Sequence, residues 1–152
     1  MTTISTRPAT LDDVDAVALL FDAYRQFYKQ AADLPLARRF IHERFQRQES
    51  VLIVAETAPR MLVGFCQLYP TFCSVKAART YTLYDLFVSP EARGTGAGRL
   101  LMLAAEAHAT RAGVARMELS TARDNTVAQS LYESLDWVRD EAFFVYSKTL
   151  PD

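Results

Sequence analysis

The chain has 152 residues, half of them hydrophobic and 23% charged, with a formal net charge of −1. These totals describe one globular domain spanning residues 1–152, long enough to bury a core without disulfide staples. They argue against a nucleic-acid binder, which carries a strong basic excess, and no apolar run is long enough to cross a bilayer.

The N-terminus, "MTTISTRPAT", lacks the apolar core of a signal peptide, so a cytoplasmic protein is expected. Cys66 and Cys73 are the only cysteines, with no close histidine pair, so no metal site is expected. Cys66 stands in an apolar run and reads as a small hydrophobe. Among the elements, "TISTR" is a short strand. Thr10 follows as an N-cap, with Asp13 placed to complete a capping box. Leu11, Val14, Val17, Ala18, Phe21, Tyr24 and Tyr28 then recur at helical spacing. "DLPLARRFIHERFQ" reads as a second helix with Pro35 near its start. "SVLIVAE" and "MLVGFCQLY" predict an antiparallel pair, and "RTYTLYDLFV" a longer strand. An amphipathic helix through about Ala112 comes next. "VARMELST" then reads as a strand, "NTVAQSLYESL" as a helix and "EAFFVYSKTL" as a closing strand. The order predicts an α/β (α+β) fold, a mixed sheet with helices packed on it.

Three of the five glycines, Gly94, Gly96 and Gly98, fall at the join between a strand and a helix. A helix N-terminus presents unpaired N–H groups and a partial positive charge, and glycines before it let a ligand reach the backbone. Together these make a phosphate cradle, here Arg93-Gly94-Thr95-Gly96-Ala97-Gly98-Arg99. A P-loop would need Lys and then Ser or Thr after the last glycine, where Arg99 and Leu100 stand. A dinucleotide fold would place the turn early, in a run of parallel βαβ units.

The R-x-x-G-x-G spacing from Arg93 to Gly98 is preceded by "LFVSPEA". It is followed at a distance by Asn125, Ala128, Leu131-Tyr132, Leu135 and Trp137. Over essentially its whole length the chain resembles the GNAT family of N-acetyltransferases. "LYDLFV" and "LYESLDW" look like the branch with yeast histone and D-amino-acid acetyltransferases. The resemblance implies a mixed, mostly antiparallel sheet of about seven strands flanked by four helices. It implies acetyl-CoA as co-substrate, its pyrophosphate held by backbone N–H groups from Gly94 through Thr95, Gly96, Ala97 and Gly98 to Arg99. Arg93 and Arg99 would add charge, to the phosphates or to the loop. Phe87 and Val88 would bond the pantetheine arm by main-chain contacts, and Asn125 would add a further bond. A backbone N–H of Leu86, Phe87 or Val88 would serve as oxyanion donor.

In the family, the tyrosine of the late helix protonates the departing thiolate; Tyr132 matches it, against a plain reading as core beside Leu131. The base is open: Tyr84 stands where relatives carry Glu, and Asp85 either acts through water or serves as a structural carboxylate. Glu118 and Ser120 are weaker candidates. Tyr24, Tyr28, Tyr69, Tyr84 and Phe72 could line the acceptor pocket. Asp136 replaces a usual Gly after the late helix, and the turn should survive. The expected reaction is acetyl transfer to a primary amine of a small molecule. Acetylation of a protein and a CoA-binding sensor without turnover stand as alternatives. The closing strand is apolar on both faces, which predicts a homodimer through it.

Overall fold

The computed structural model describes residues 3–152. They fall into two units that meet in sequence at Ser120 and Thr121. The first holds β1 (Ser5–Pro8), α1 (Val14–Phe27), α2 (Leu34–Gln46), β2 (Val51–Glu56), β3 (Leu62–Cys73), β4 (Ala78–Val88), α3 (Ala97–Ala112) and β5 (Arg116–Glu118). The second holds α4 (Thr126–Ser134). The sheet runs β1-β2-β3-β4-β5, antiparallel through β4 and parallel between β4 and β5. The architecture is a mixed α/β fold with a mostly antiparallel sheet and four helices. Among the described residues, no helix is long and apolar enough to cross a membrane.

Among the described residues the sheet has five strands, not about seven. "VARMELST" narrows to the three residues of β5, and "EAFFVYSKTL" carries no strand. A strand exists only where a neighbour pairs its backbone and covers its apolar faces. Sequence pattern reports the preference and not the neighbour. Phe143, Phe144, Val145 and Tyr146 are 81–92% exposed.

Chain entry is fixed by one ionic knot. The Thr10 N–H donates to Asp13 Oδ2 at 2.7 Å, closing the expected capping turn ahead of α1. Arg7 of β1 grips both Asp13 oxygens at 2.6 and 2.9 Å and both Glu56 oxygens at 3.0 and 3.1 Å. Asp33 caps α2 through the Leu36 N–H, with Pro35 in its first turn. Val14, Val17, Phe21, Ala37 and Ile41 pack from the two helices onto Leu52, Val54, Phe65 and Phe87. Cys66 alternates with Phe65 and therefore faces the other side, where it touches the Leu101 carbonyl of α3 at 3.8 Å. Burial pushes its thiol up to about 12, so Cys66 is an inert core residue.

Hydrogen bonds from Arg7 hold the Asp13 carboxyl down at about 2, against an ordinary 3.8. Its stabilising contribution is therefore complete above the ordinary value and disappears as pH falls through about 2. Urea unfolding between about pH 5 and pH 2 should show the native chain losing ~2 kcal/mol more than Asp13→Asn. Parallel losses in the two proteins would remove the knot from the acid response.

Candidate functional site

The site of the first unit is built on β4. Gln67 of β3 pairs with Asp85 while Leu68 pairs with Leu83, which leaves Tyr84 as the extra residue of a β-bulge. The bulge turns the Tyr84 side chain outward, 65% exposed, and leaves Asp85 inside, 3% exposed. The Tyr24 hydroxyl donates to the Tyr84 carbonyl at 3.2 Å, satisfying a group the bulge takes out of the ladder. Gln67 Nε2 donates to Asp85 Oδ2 at 2.6 Å, and the Ser50 hydroxyl donates to Gln67 Oε1 at 2.7 Å. Burial raises the Asp85 pKa, against the opposing pull of bonds from Gln67 and the Tyr24 hydroxyl. Burial and the Asp85 charge likewise push the Tyr24 and Tyr69 hydroxyls up, so both are neutral donors.

Aromatic rings gather at this point. Tyr69 and Tyr84 lie 5.5 Å apart, Tyr24 lies 6.1 Å from Phe87, and Tyr28 extends the group at 5.1 Å from Tyr24. Phe72 is outside it, exposed at the far end of β3 opposite Arg79. Glu118 forms a surface ion pair with Arg116 at 2.7 Å.

Directly after β4 comes the glycine loop. Gly94 and Gly96 have φ of 79° and 88°, the left-handed region, and Gly96 caps α3. A Cβ at either would meet nothing within 4 Å, so these glycines answer a backbone requirement, and the cradle is open to a ligand. The first helical bond runs from the Leu100 N–H to the Gly96 carbonyl at 3.0 Å. The N–H groups of Ala97 and Gly98 thus have no helical acceptor behind them. The Thr95 hydroxyl donates to the Ala92 carbonyl and tightens the turn. Arg93 Nε donates back to the Val88 carbonyl at 3.1 Å, its guanidinium lying near the Phe27 and Phe87 rings. Of the two tasks open to Arg93, this one serves the loop.

The outer edge of β4 is open beside the cradle. β5 pairs with it only from Thr80 to Thr82. Leu83 to Val88 therefore have β3 on one side and no strand on the other among the described residues.

In the second unit, Asn125 caps α4 by accepting the Ala128 N–H at 3.2 Å. Tyr132 lies against Trp137, ring centres 6.4 Å apart. Asp136 takes φ of 67°, and its N–H reaches the Glu133 carbonyl at 3.1 Å, so the turn keeps its left-handed form without glycine. The sequence-derived residues thus divide into a β4-and-loop group in the first unit and Asn125 with Tyr132 in the second. Reasoning on the sequence missed Gln67 and Ser50. The signal was Gln67 itself, a lone polar residue in the apolar strand "LVGFCQLY".

The sequence model of the Acetyltransferase (GNAT) family matches residues 16–137. The chain is 43% identical over 145 residues to an uncharacterized N-acetyltransferase, YhfO, of Bacillus subtilis (strain 168), covering 95% of this chain and 97% of that protein. A crystal structure of a probable acetyltransferase, 37% identical, superposes with a TM-score of 0.89 over 99% of each chain. The aminoglycoside N-acetyltransferase AAC(6')-Iy, solved in complex with CoA, shares the fold at 18% identity. Its TM-score is 0.81, over 99% of this chain and 97% of that one.

Gly96→Asp should weaken binding of coenzyme A by roughly 100-fold, since it adds a negative charge and a strained left-handed side chain at an anion cradle. Gly96→Ala, which carries only the backbone cost, should lose less. Calorimetry on folded variants that finds native affinity for both would remove the loop from the site.

Proposed function

The chain belongs to the GNAT acetyltransferase family and is an acyl-transferring enzyme, and from that premise we propose that it moves an acetyl group from acetyl-CoA to a primary amine of a small molecule. The observation that carries this reading is the aromatic-walled bulge with Asp85 buried behind it, on the strand that leads straight into the glycine cradle. An alkylammonium fits such a wall through its methylenes and its charge. The open cradle and the unpaired edge of β4 fit a pyrophosphate followed by an amide-bearing arm.

When bound, acetyl-CoA supplies an activated thioester. The backbone N–H groups from Gly94 to Arg99 hold its phosphates, and Leu86, Phe87 and Val88 orient the arm through the main chain. Asn125 adds a bond to that arm while capping α4. Asp85, acting through water, accepts the proton that the ammonium must shed. Its raised pKa makes it a stronger base than an ordinary carboxylate, and Gln67 and Ser50 fix its orientation. Tyr132 donates a proton to the departing sulfur.

A thiol-release screen over polyamines, amino acids, aminoglycosides and basic peptides tests the reading. Release with small amines is expected. Release with peptides alone would move the acceptor to protein, and tight CoA binding with no release across the panel would leave a sensor. Once an amine is found, Tyr132→Phe should lower kcat by roughly 10²–10⁴-fold with little change in cofactor affinity. Turnover within a few-fold of native would make Tyr132 a packing residue.

A further inference from the structure

We propose that the acceptor amine carries a carboxylate, held by the Arg25 guanidinium of α1, so that the substrate class is an amino acid. This rests on the small-molecule amine reading given above and narrows the acceptor of that same site.

Arg25 is half-buried, and its Nη1 is buried with no hydrogen-bond partner among the described residues. A guanidinium has five donors and no acceptor, and leaving a buried N–H unbonded costs its full desolvation. Two other half-buried arginines of the first unit are not left so. Arg7 holds Asp13 and Glu56, and Arg44 holds Glu43 and Glu49. Among the described residues no carboxylate pairs with Arg25. Asp22, one turn back on α1, is within helical reach but engaged elsewhere. Its oxygens accept from Gln26 Nε2 at 3.2 Å and from the Asp33 N–H at 2.9 Å. A buried donor without a partner in a folded protein calls for an acceptor from outside the chain.

The position of Arg25 on α1 indicates what that acceptor belongs to. It continues the buried stripe of Ala18 and Phe21, seven and four residues earlier. Phe21 stacks on Phe40 of α2 at 5.4 Å, so the stripe faces the groove between the two helices. Three residues further along is Tyr28, which belongs to the aromatic group at the bulge through its contact with Tyr24 at 5.1 Å. Arg25 therefore stands where the core stripe gives way to the aromatic wall. The preceding residue, Tyr24, bonds the Tyr84 carbonyl at 3.2 Å and interacts with Asp85. The two charges thus stand at opposite poles of this region: Asp85 behind the bulge, and the Arg25 cation on α1.

A zwitterion answers both poles, its ammonium toward the bulge and its carboxylate toward α1. A plain alkylamine would leave Nη1 unbonded. A carboxylate matches a guanidinium by accepting two parallel N–H bonds. A phosphate would bring a second negative charge into an aromatic region that already holds the buried Asp85, where repulsion is poorly screened.

Matched pairs test the assignment: phenylalanine with phenethylamine, and leucine with isoamylamine, assayed by thiol release from acetyl-CoA. The readout is the ratio of kcat/KM for the acid to that for the amine, in the native chain and in Arg25→Gln. Comparing ratios cancels the difference in amine basicity within each pair. Arg25→Gln should lower the ratio by roughly 10–100-fold, chiefly through KM for the acid, the worth of a charge-assisted hydrogen bond. Arg25→Lys keeps the charge without the planar fork and should recover part of the loss. An unchanged ratio makes Arg25 a packing residue and overturns the inference, while acetylation of small amines stands. A larger fall for phosphoethanolamine against ethanolamine than for either acid pair assigns the site to phosphate and also overturns it. Absence of release from every amine contradicts the transfer reading, and calorimetry on the chain saturated with coenzyme A then decides this one. Acids that bind at least tenfold tighter than their amines, with the difference lost in Arg25→Gln, support it. Equal affinity, or no binding, means that water alone serves Nη1 and overturns it.

Discussion

Everything in the candidate site depends on the unequal pairing of β4. One edge is bonded to β3 along its whole length, and the other is bonded to β5 only from Thr80 to Thr82. A strand held this way is rigid yet keeps a row of main-chain donors and acceptors for a ligand. Rigidity is reinforced from behind: Phe87 packs into the core that Phe21 and Phe65 share with the two N-terminal helices. The strand then delivers the chain, through a short turn and two left-handed glycines, to the start of α3. Edge, cradle and helix terminus are therefore consecutive in the chain, and their relative placement costs no long-range contacts.

The bulge at Tyr84 does a second job on the same strand. By inserting one residue it separates the fates of two neighbours, sending Tyr84 outward and keeping Asp85 inside. A carboxylate in that position would be a liability without partners. Gln67, itself fully buried, satisfies one oxygen, and Ser50 fixes the amide so that its N–H side faces Asp85. The remaining interaction is with the Tyr24 hydroxyl of α1. Because Tyr24 also binds the bulge carbonyl, helix α1 and strand β4 are locked together beside Asp85.

Much of this was legible in the sequence for local reasons. Helix starts at Thr10 and Gly96 follow from capping chemistry and glycine freedom, which act within one turn. The hairpin of β2 and β3 and the long strand β4 follow from period and flanking turns. What was not legible depends on partners distant in sequence. The bulge is a register event between β3 and β4, and no residue type marks it. Gln67 beside Asp85 requires knowing that those two strands pair at that position. The bond from Arg93 to the Val88 carbonyl depends on how the loop folds back on β4, which residue type does not mark. The closing strand failed for the same reason in reverse: "EAFFVYSKTL" has the composition of a covered strand, but composition does not supply the cover.

The central claim is that the open edge of β4 and the glycine loop form one binding surface for coenzyme A. Amide hydrogen exchange with and without coenzyme A tests it most directly, because it reads the backbone groups themselves. The account predicts that the ligand slows exchange together at two adjoining stretches, residues 83–88 and 94–99, with little change in β1 and β2. Protection confined to other elements, or unchanged exchange at both stretches under saturating ligand, would contradict it.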